Sequence, residues 1–340
     1  MRVNREEFLQ VLDSVAYGLS VKEIQEQSKC FVFQNGMVMT YNDEVACRSP
    51  SGLEDSVKGA VRSGQLLDLL RQLPDDDLEI EITEEHLVVK GRKRQSGVRM
   101  EMEVLLNIDN VEDPTDWREL HDEFSDAISI VHECASKDKT NIRTHVHLHP
   151  KWIEASDNFQ ICRYRLKTGV ESAVLLKSES IKNIVSLGMT EFSETETWIH
   201  FRNTNGLVYS CRRFADTGEY PNWSPFLKIE GGIPTTLPKG LKEAAERAKI
   251  FSSENADDND VMVELRPGKL RIVGTGVSGW YKEIKSLKYN GSSLSFLISP
   301  ELLATISDKH NDCEVTADRL KVDGGKWTYV TILHSLEDKE

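Results

Sequence analysis

The sequence has no apolar run approaching the roughly 20 residues that a bilayer-spanning helix needs, so a helical membrane protein is not expected. Its six cysteines (Cys30, Cys47, Cys134, Cys162, Cys211 and Cys313) are scattered, with no C-x-x-C pair among them. That spacing argues against a zinc ribbon or a disulfide framework and favours reduced structural thiols. The opening MRVNREEFLQ carries acids where a signal peptide would carry its apolar stretch, so a cytoplasmic location is expected. Positive charge is also short: 42 Lys and Arg stand against 56 Asp and Glu, a formal net charge of −14. Domains that wrap nucleic acid are usually basic, so any basic surface here has to be local. No Ser/His/Asp constellation or paired-carboxylate motif stands out. Catalysis, a cofactor and a metal are therefore not expected.

What is present is a repeat. At 340 residues, 39% of them apolar and 29% charged, the chain is long enough for two or three ordinary domains. Three amphipathic helical patterns begin near Arg5, His121 and Pro238, a period of about 117 residues. They read REEFLQVLDSVAYGL, HDEFSDAISIVHECAS and PKGLKEAAERAKIFSS. Phe8, Leu12, Val15 and Leu19 share one stripe at helical spacing, as do Leu241, Ala245, Ala248 and Phe251. About 57 to 61 residues after each start comes a second helical pattern, opened by Ser63, Ser178 or Ser299. Each serine is placed to accept hydrogen bonds from the unpaired N–H groups of a helix start. Alternating strands with tight turns fill the rest, among them KCFVFQNGMVMTYN, TWIHFRNTNGLVYSCRRF and VMVELRPGKLRIVG. Each repeat thus reads helix, strands, helix, strands, which predicts three α+β domains over residues 1–116, 117–233 and 234–340.

Three local patterns invite chemistry and are better explained without it. Gly274-Thr-Gly276-Val-Ser-Gly279 fits the spacing of a dinucleotide loop, but WYKEIKSLKY follows it and alternates like a strand. A glycine-rich hairpin is the expectation. His145, His147 and His149 fall on one strand face, yet no Cys or acid completes a tetrahedral site, so a solvated face is expected rather than a metal. Asp75, Asp76 and Asp77 follow Pro74 at a helix end and read as a solvated turn.

The threefold plan resembles the beta subunit of bacterial DNA polymerase III, the beta sliding clamp, and local sequence extends the resemblance. VRSGQLLDLLRQLPDDDLEIEI is similar to a first-domain passage of that family and KWIEASDNFQICRYRL to a middle-domain one. TGEYPNWSPFL resembles the stretch closing the middle domain, GLKEAAERAKIFSS the first helix of the third domain, and KWTYVTILHSL the C-terminal strand. The resemblance runs in order along nearly the whole chain. It implies a homodimeric six-domain ring around duplex DNA, held without sequence specificity, that tethers a DNA polymerase and a clamp loader through short linear peptides. An acidic outer surface suits such a ring, because it repels phosphate everywhere except the channel.

The resemblance also assigns residues. Facing DNA it implies Lys22, Arg71, Lys242 and Arg247; Lys239 and Lys249 share a helical face with Lys242, and the middle repeat offers Lys137, Lys139 and Lys182, all to touch phosphates without reading bases. For the peptide pocket it implies Ser156, Asn158, Phe159, Gln160 and Ile161 on one wall, Ile332, Leu333 and His334 on the other, and Phe226 beside them. For the seam it implies Met100 and Met102 on an edge strand against Ile250 and Phe251. The chain departs from the family at several positions. Gln10, Gly64, Gln65, Ser178 and Glu179 stand where basic residues are common, and Phe159 and Gln160 replace a His-Arg pair. These departures keep open a second expectation, a clamp-fold scaffold or inhibitor that binds replication proteins without encircling DNA. A nucleotide-binding enzyme comes third, because it would need the glycine pattern to hold phosphate.

Overall fold

The structure, a computed structural model, describes every residue except 24, 139, 216, 217, 219, 255–258 and 336–340. Lys139 therefore lies outside the described residues. The fold is α+β, with seven α-helices among the described residues: α1 (Arg5–Val15), α2 (Ser63–Gln72), α3 (Phe124–Val131), α4 (Ser178–Ile181), α5 (Ile184–Leu187), α6 (Leu241–Ser252) and α7 (Pro300–Lys309). The chain forms two compact units, one of Met1–Asp122 with Glu179–Phe214, the other of Glu123–Ser178 with Ala215–Glu340.

In the first unit α1 starts where Asn4 accepts hydrogen bonds from the Glu6 and Glu7 backbone N–H groups at 3.0 and 3.1 Å. Such a cap is worth about 1 kcal/mol. The helix buries Phe8, Leu12 and Val15 of the expected stripe, Leu19 lying past its end in extended backbone, while α2 buries Leu66, Leu67 and Leu70. A run of antiparallel strands carries these helices. Arg2–Asn4 pairs with Asp77–Ile82, which pairs through His86–Gly91 to Arg94–Glu101. The end of that last strand pairs with Gly59–Arg62, and the ladder continues through Cys30–Gln34, Met37–Tyr41 and Val45–Pro50 to Val208–Ala215.

In the second unit one ladder joins distant parts of the chain. Val174–Lys177, His145–His149, Trp152–Ser156 and Gln160–Arg165 pair in that order. Gln160–Arg165 then pairs with Trp327–Ile332, which continues to Arg319–Asp323, Asp312–Val315 and Ile233–Thr236. A separate five-stranded sheet runs Gly279–Ser286, Lys269–Gly276, Val261–Arg266, Leu294–Ile298, His334–Ser335.

The glycine pattern is explained by the packing of α6 on this second sheet. Gly276 pairs with Gly279 across a two-residue turn, so the segment is a hairpin. A Cβ on Gly274 would lie 2.0 Å from the Ala248 carbonyl oxygen, and one on Gly276 2.1 Å from that of Phe251. The helix meets the sheet with Ala244, Ala245 and Ala248. Small residues on both sides let the backbones touch, and no phosphate site is involved.

Of the three serines expected to cap helices, one does so. Ser299 Oγ accepts from Leu302 N at 3.3 Å. Ser63 and Ser178 instead donate to the Lys29 and His132 carbonyls at 2.8 and 2.9 Å. The helical pattern beginning at Ser178 also breaks into α4 and α5 and ends at Gly188 in the left-handed region. All six cysteines are buried and unpaired.

Candidate functional site

The candidate site is a groove of about 260 Å³ in the second unit. One side is the turn into Gln160–Arg165, where the Asp157 carboxylate accepts from Phe159 N at 2.6 Å and from Gln160 N at 2.8 Å. That turn projects Phe159, 56% exposed, into solvent. Opposite stand Ile332 and His334 from the last strands and Leu297 from Leu294–Ile298. The two sides are tied by Ile332 N donating to the Phe159 carbonyl at 2.8 Å, and the Phe159 and His334 rings lie 6.4 Å apart, edge to face. The rim is polar: Glu133, Lys137, Asp157 and Asp260 line it, with Lys137 Nζ 3.2 Å from an Asp260 oxygen. Burial pushes the Asp157 carboxyl up against the opposing pull of its three hydrogen bonds.

The residues named from sequence for this pocket fall into three groups. Asn158, Phe159, Gln160, Ile332 and His334 line the groove. Gln160 itself is buried, its side chain accepting from the Tyr329 hydroxyl at 2.9 Å. Ser156, Ile161 and Leu333 are buried beneath it: Ser156 Oγ donates to the Asp157 and Gln160 carbonyls, and Leu333 N donates to the Asp318 carbonyl. Phe226 is half-buried under the Arg319 guanidinium, 4.8 Å from the ring centre, and is not among the lining side chains. Sequence reasoning missed Leu297. Its signal was an apolar residue out of phase with Leu294, Phe296 and Ile298 on a strand whose other four residues are buried. Glu133 and Asp260 carry no comparable local signal.

The candidate DNA-facing cations are mostly paired with acids of the same chain. Arg71 meets Asp13 at 2.7 Å, Lys182 meets Glu179 at 2.5 Å, Lys242 meets Asp308 at 3.5 Å and Arg247 meets Glu283 at 2.7 Å. Lys249 is paired with Glu301. The Tyr281 hydroxyl, Arg247 and Lys285 hold the Glu283 carboxyl down at about 2, and Glu301 raises the Lys249 ammonium above its ordinary range. Lys137 sits in the groove. Lys22 and Lys239 are exposed and have no acid within 4.0 Å among the described residues.

At the expected seam, Met102 is 45% exposed and Met100 is buried against Gly59. Ile250 is 64% exposed on α6, whereas Phe251 is half-buried with its ring against Gly279. Two open strand edges bear on the seam. One is Arg94–Arg99, paired only through its other edge, and the other is the outer edge of Gly279–Ser286. The second presents Trp280 and Ile284 to solvent.

The three histidines are not a solvated face. His147 is buried with Nδ1 3.1 Å from Glu154, which also pairs with Arg163 at 2.6 Å, and His149 stacks on Trp152 at 3.5 Å. No group of three or more metal-ligating side chains occurs among the described residues. No helix among them is long and apolar enough to cross a membrane.

No protein-family model matches the sequence, and no curated protein matches it. Solved structures do. The DNA polymerase III subunit beta from Pseudomonas aeruginosa matches with a TM-score of 0.71 at 16% identity, covering 99% of this chain and 100% of that one. The beta subunit from Thermotoga maritima gives 0.70 at 16% identity over 98% and 99%. The DNA polymerase sliding clamp from Bacillus subtilis gives 0.68 at 14% identity over 98% of each chain. Along its whole length, the chain has the fold of the bacterial DNA polymerase III beta subunits, the sliding-clamp fold.

Proposed function

We propose that the protein is a DNA sliding clamp. Two copies close a ring of six domains, three per chain, around duplex DNA in the cytoplasm, and the groove beside Phe159 tethers a polymerase and a clamp loader by short peptides. It has no catalytic role; topology holds it on DNA and binding delivers the partners. The observation that carries the reading is the end-to-end match to solved clamps, which covers both chains almost completely. An open strand edge in each unit, with Met102 beside one and Ile250 near the other, suits a seam made by pairing edges between copies. The test is retention: protein loaded on a nicked circular plasmid should co-elute with it and be lost once the plasmid is linearised. Loss from both forms alike, with rings absent in negative stain, would overturn the reading.

A second reading has its own observation. Six candidate DNA-facing cations are ion-paired within the chain, and the whole carries a net charge of −14. A clamp-fold scaffold that binds replication proteins without encircling DNA fits those charges. It predicts peptide binding with no retention on circular DNA.

A further inference from the structure

The polar side chains around the groove are not balanced. Among the described residues three carboxylates, Glu133, Asp157 and Asp260, line it against one ammonium, Lys137. Glu133 keeps acceptor capacity. Glu133 accepts one hydrogen bond from Ser299 at 3.0 Å and lies 3.6 Å from His132. A carboxylate pair of oxygens can accept about four bonds. The apolar part of the groove is compact and formed by Phe159, Leu297 and Ile332, with the first two more than half exposed. An occupant that fits therefore carries an apolar anchor with a cation close by.

The geometry points to a short segment of a partner protein that sets a lysine or arginine beside a leucine or aromatic anchor, and to exclusion of acidic segments. This rests on the groove being the peptide site proposed above. Charge complementarity commits the choice. A cation reaching Glu133 makes charge-assisted hydrogen bonds, whereas an acid there meets like charge. The net charge of −14 acts in the same direction at longer range, drawing cationic segments in and slowing acidic ones. Each exposed pair contributes little alone, so the carboxylates acting together set the expected selectivity at roughly tenfold for Lys over Gln at one position.

The experiment uses the full chain and three fluorescent six-residue peptides with the same Leu and Phe anchors and Lys, Gln or Glu between them, read by anisotropy. The expected order of affinity is Lys, Gln, Glu, with the Lys advantage shrinking as salt rises. Glu133→Gln and Asp260→Asn should each reduce the ratio between the Lys and Gln peptides, and Phe159→Ala should weaken all three. Unchanged thermal melting of the variants shows that the fold is intact. Equal binding of the three peptides, or tightest binding of the Glu peptide, overturns the cation preference and leaves the groove as a peptide site. Binding of none overturns both.

Discussion

Lys242 and Asp308 face each other at 3.5 Å between α6 and α7, and the same two helices are joined again by Lys249 and Glu301. Seven residues separate the lysines and seven separate the acids, so two antiparallel helices are stitched at two points about 10 Å apart. The lysines that a DNA-lining role calls for thus also hold the helices together. With their side chains about half exposed, such pairs add at most about 1 kcal/mol each, yet each carboxylate cancels the charge that a phosphate would seek.

Freeing those lysines should strengthen binding to DNA. In the double variant Glu301→Gln with Asp308→Asn, two cations become available, and each one neutralising a phosphate adds about 0.9 to the slope of log affinity against log salt. Duplex anisotropy across a salt series should show a slope steeper by roughly one to two. A slope unchanged from the parent protein would mean that this face does not meet DNA.

Phe159 and Ile161, two residues apart, should respond differently to the same truncation. Phe159 is more than half exposed and Ile161 is fully buried. Phe159→Ala should weaken peptide binding by about 1 to 3 kcal/mol with little change in melting temperature. Ile161→Ala should destabilise the fold by about 2 to 5 kcal/mol through the cavity it leaves. Parallel calorimetry and peptide titration separate the two; equal loss of stability in both variants would place Phe159 in the core.

The contrast shows how much of the site the sequence carried. Chain order placed Phe159 and Ile332 in one site through resemblance, and the ladder Gln160↔Thr331 brings them together. Alternation along one strand could not say which of Phe159 and Ile161 faces out, because both are apolar and lie in phase, and the Asp157 turn is what lifts Phe159 free. The α1 stripe was legible because its period is local and its cap is Asn4. Ser63 and Ser178 misled because their hydroxyls found carbonyls on Lys29 and His132, partners far away in sequence. The charge of the groove was illegible for the same reason: Glu133, Asp157 and Asp260 come from three separate segments.

His200 should make the first unit sensitive to mild acid. It is fully buried, with Nδ1 2.8 Å from Ser210 Oγ and Nε2 3.1 Å from Thr195 Oγ1. Burial first, and then the Arg48 charge, lower its pKa from 6.5 to about 4, against the opposite pull of Glu112 and Asp113. The unfolded chain takes up a proton near pH 6.5 while the folded one resists until about 4. The stabilisation is therefore complete above 6.5 and is lost as pH falls through that window, by an amount on the order of 3 kcal/mol. Melting temperatures of wild type and His200→Gln should converge between pH 7 and pH 4; parallel curves would show that His200 does not titrate in this way.

The seam prediction separates exposed from buried candidates. Ile250 and Met102 are exposed, and charge placed there costs the monomer little, whereas Met100 fills space against Gly59. Ile250→Glu and Met102→Glu should shift the protein from dimer to monomer in analytical ultracentrifugation, with melting of the separated chain changed by less than about 0.5 kcal/mol equivalent. Combining each with a lysine on the opposite edge, Ile250→Glu with Met102→Lys, should recover part of the dimer, because the new charges attract across the seam only if these two residues approach each other there. A wild-type protein that is monomeric at micromolar concentration would remove the seam, and Ile250 would then be an exposed apolar residue of α6 with no partner copy to cover it.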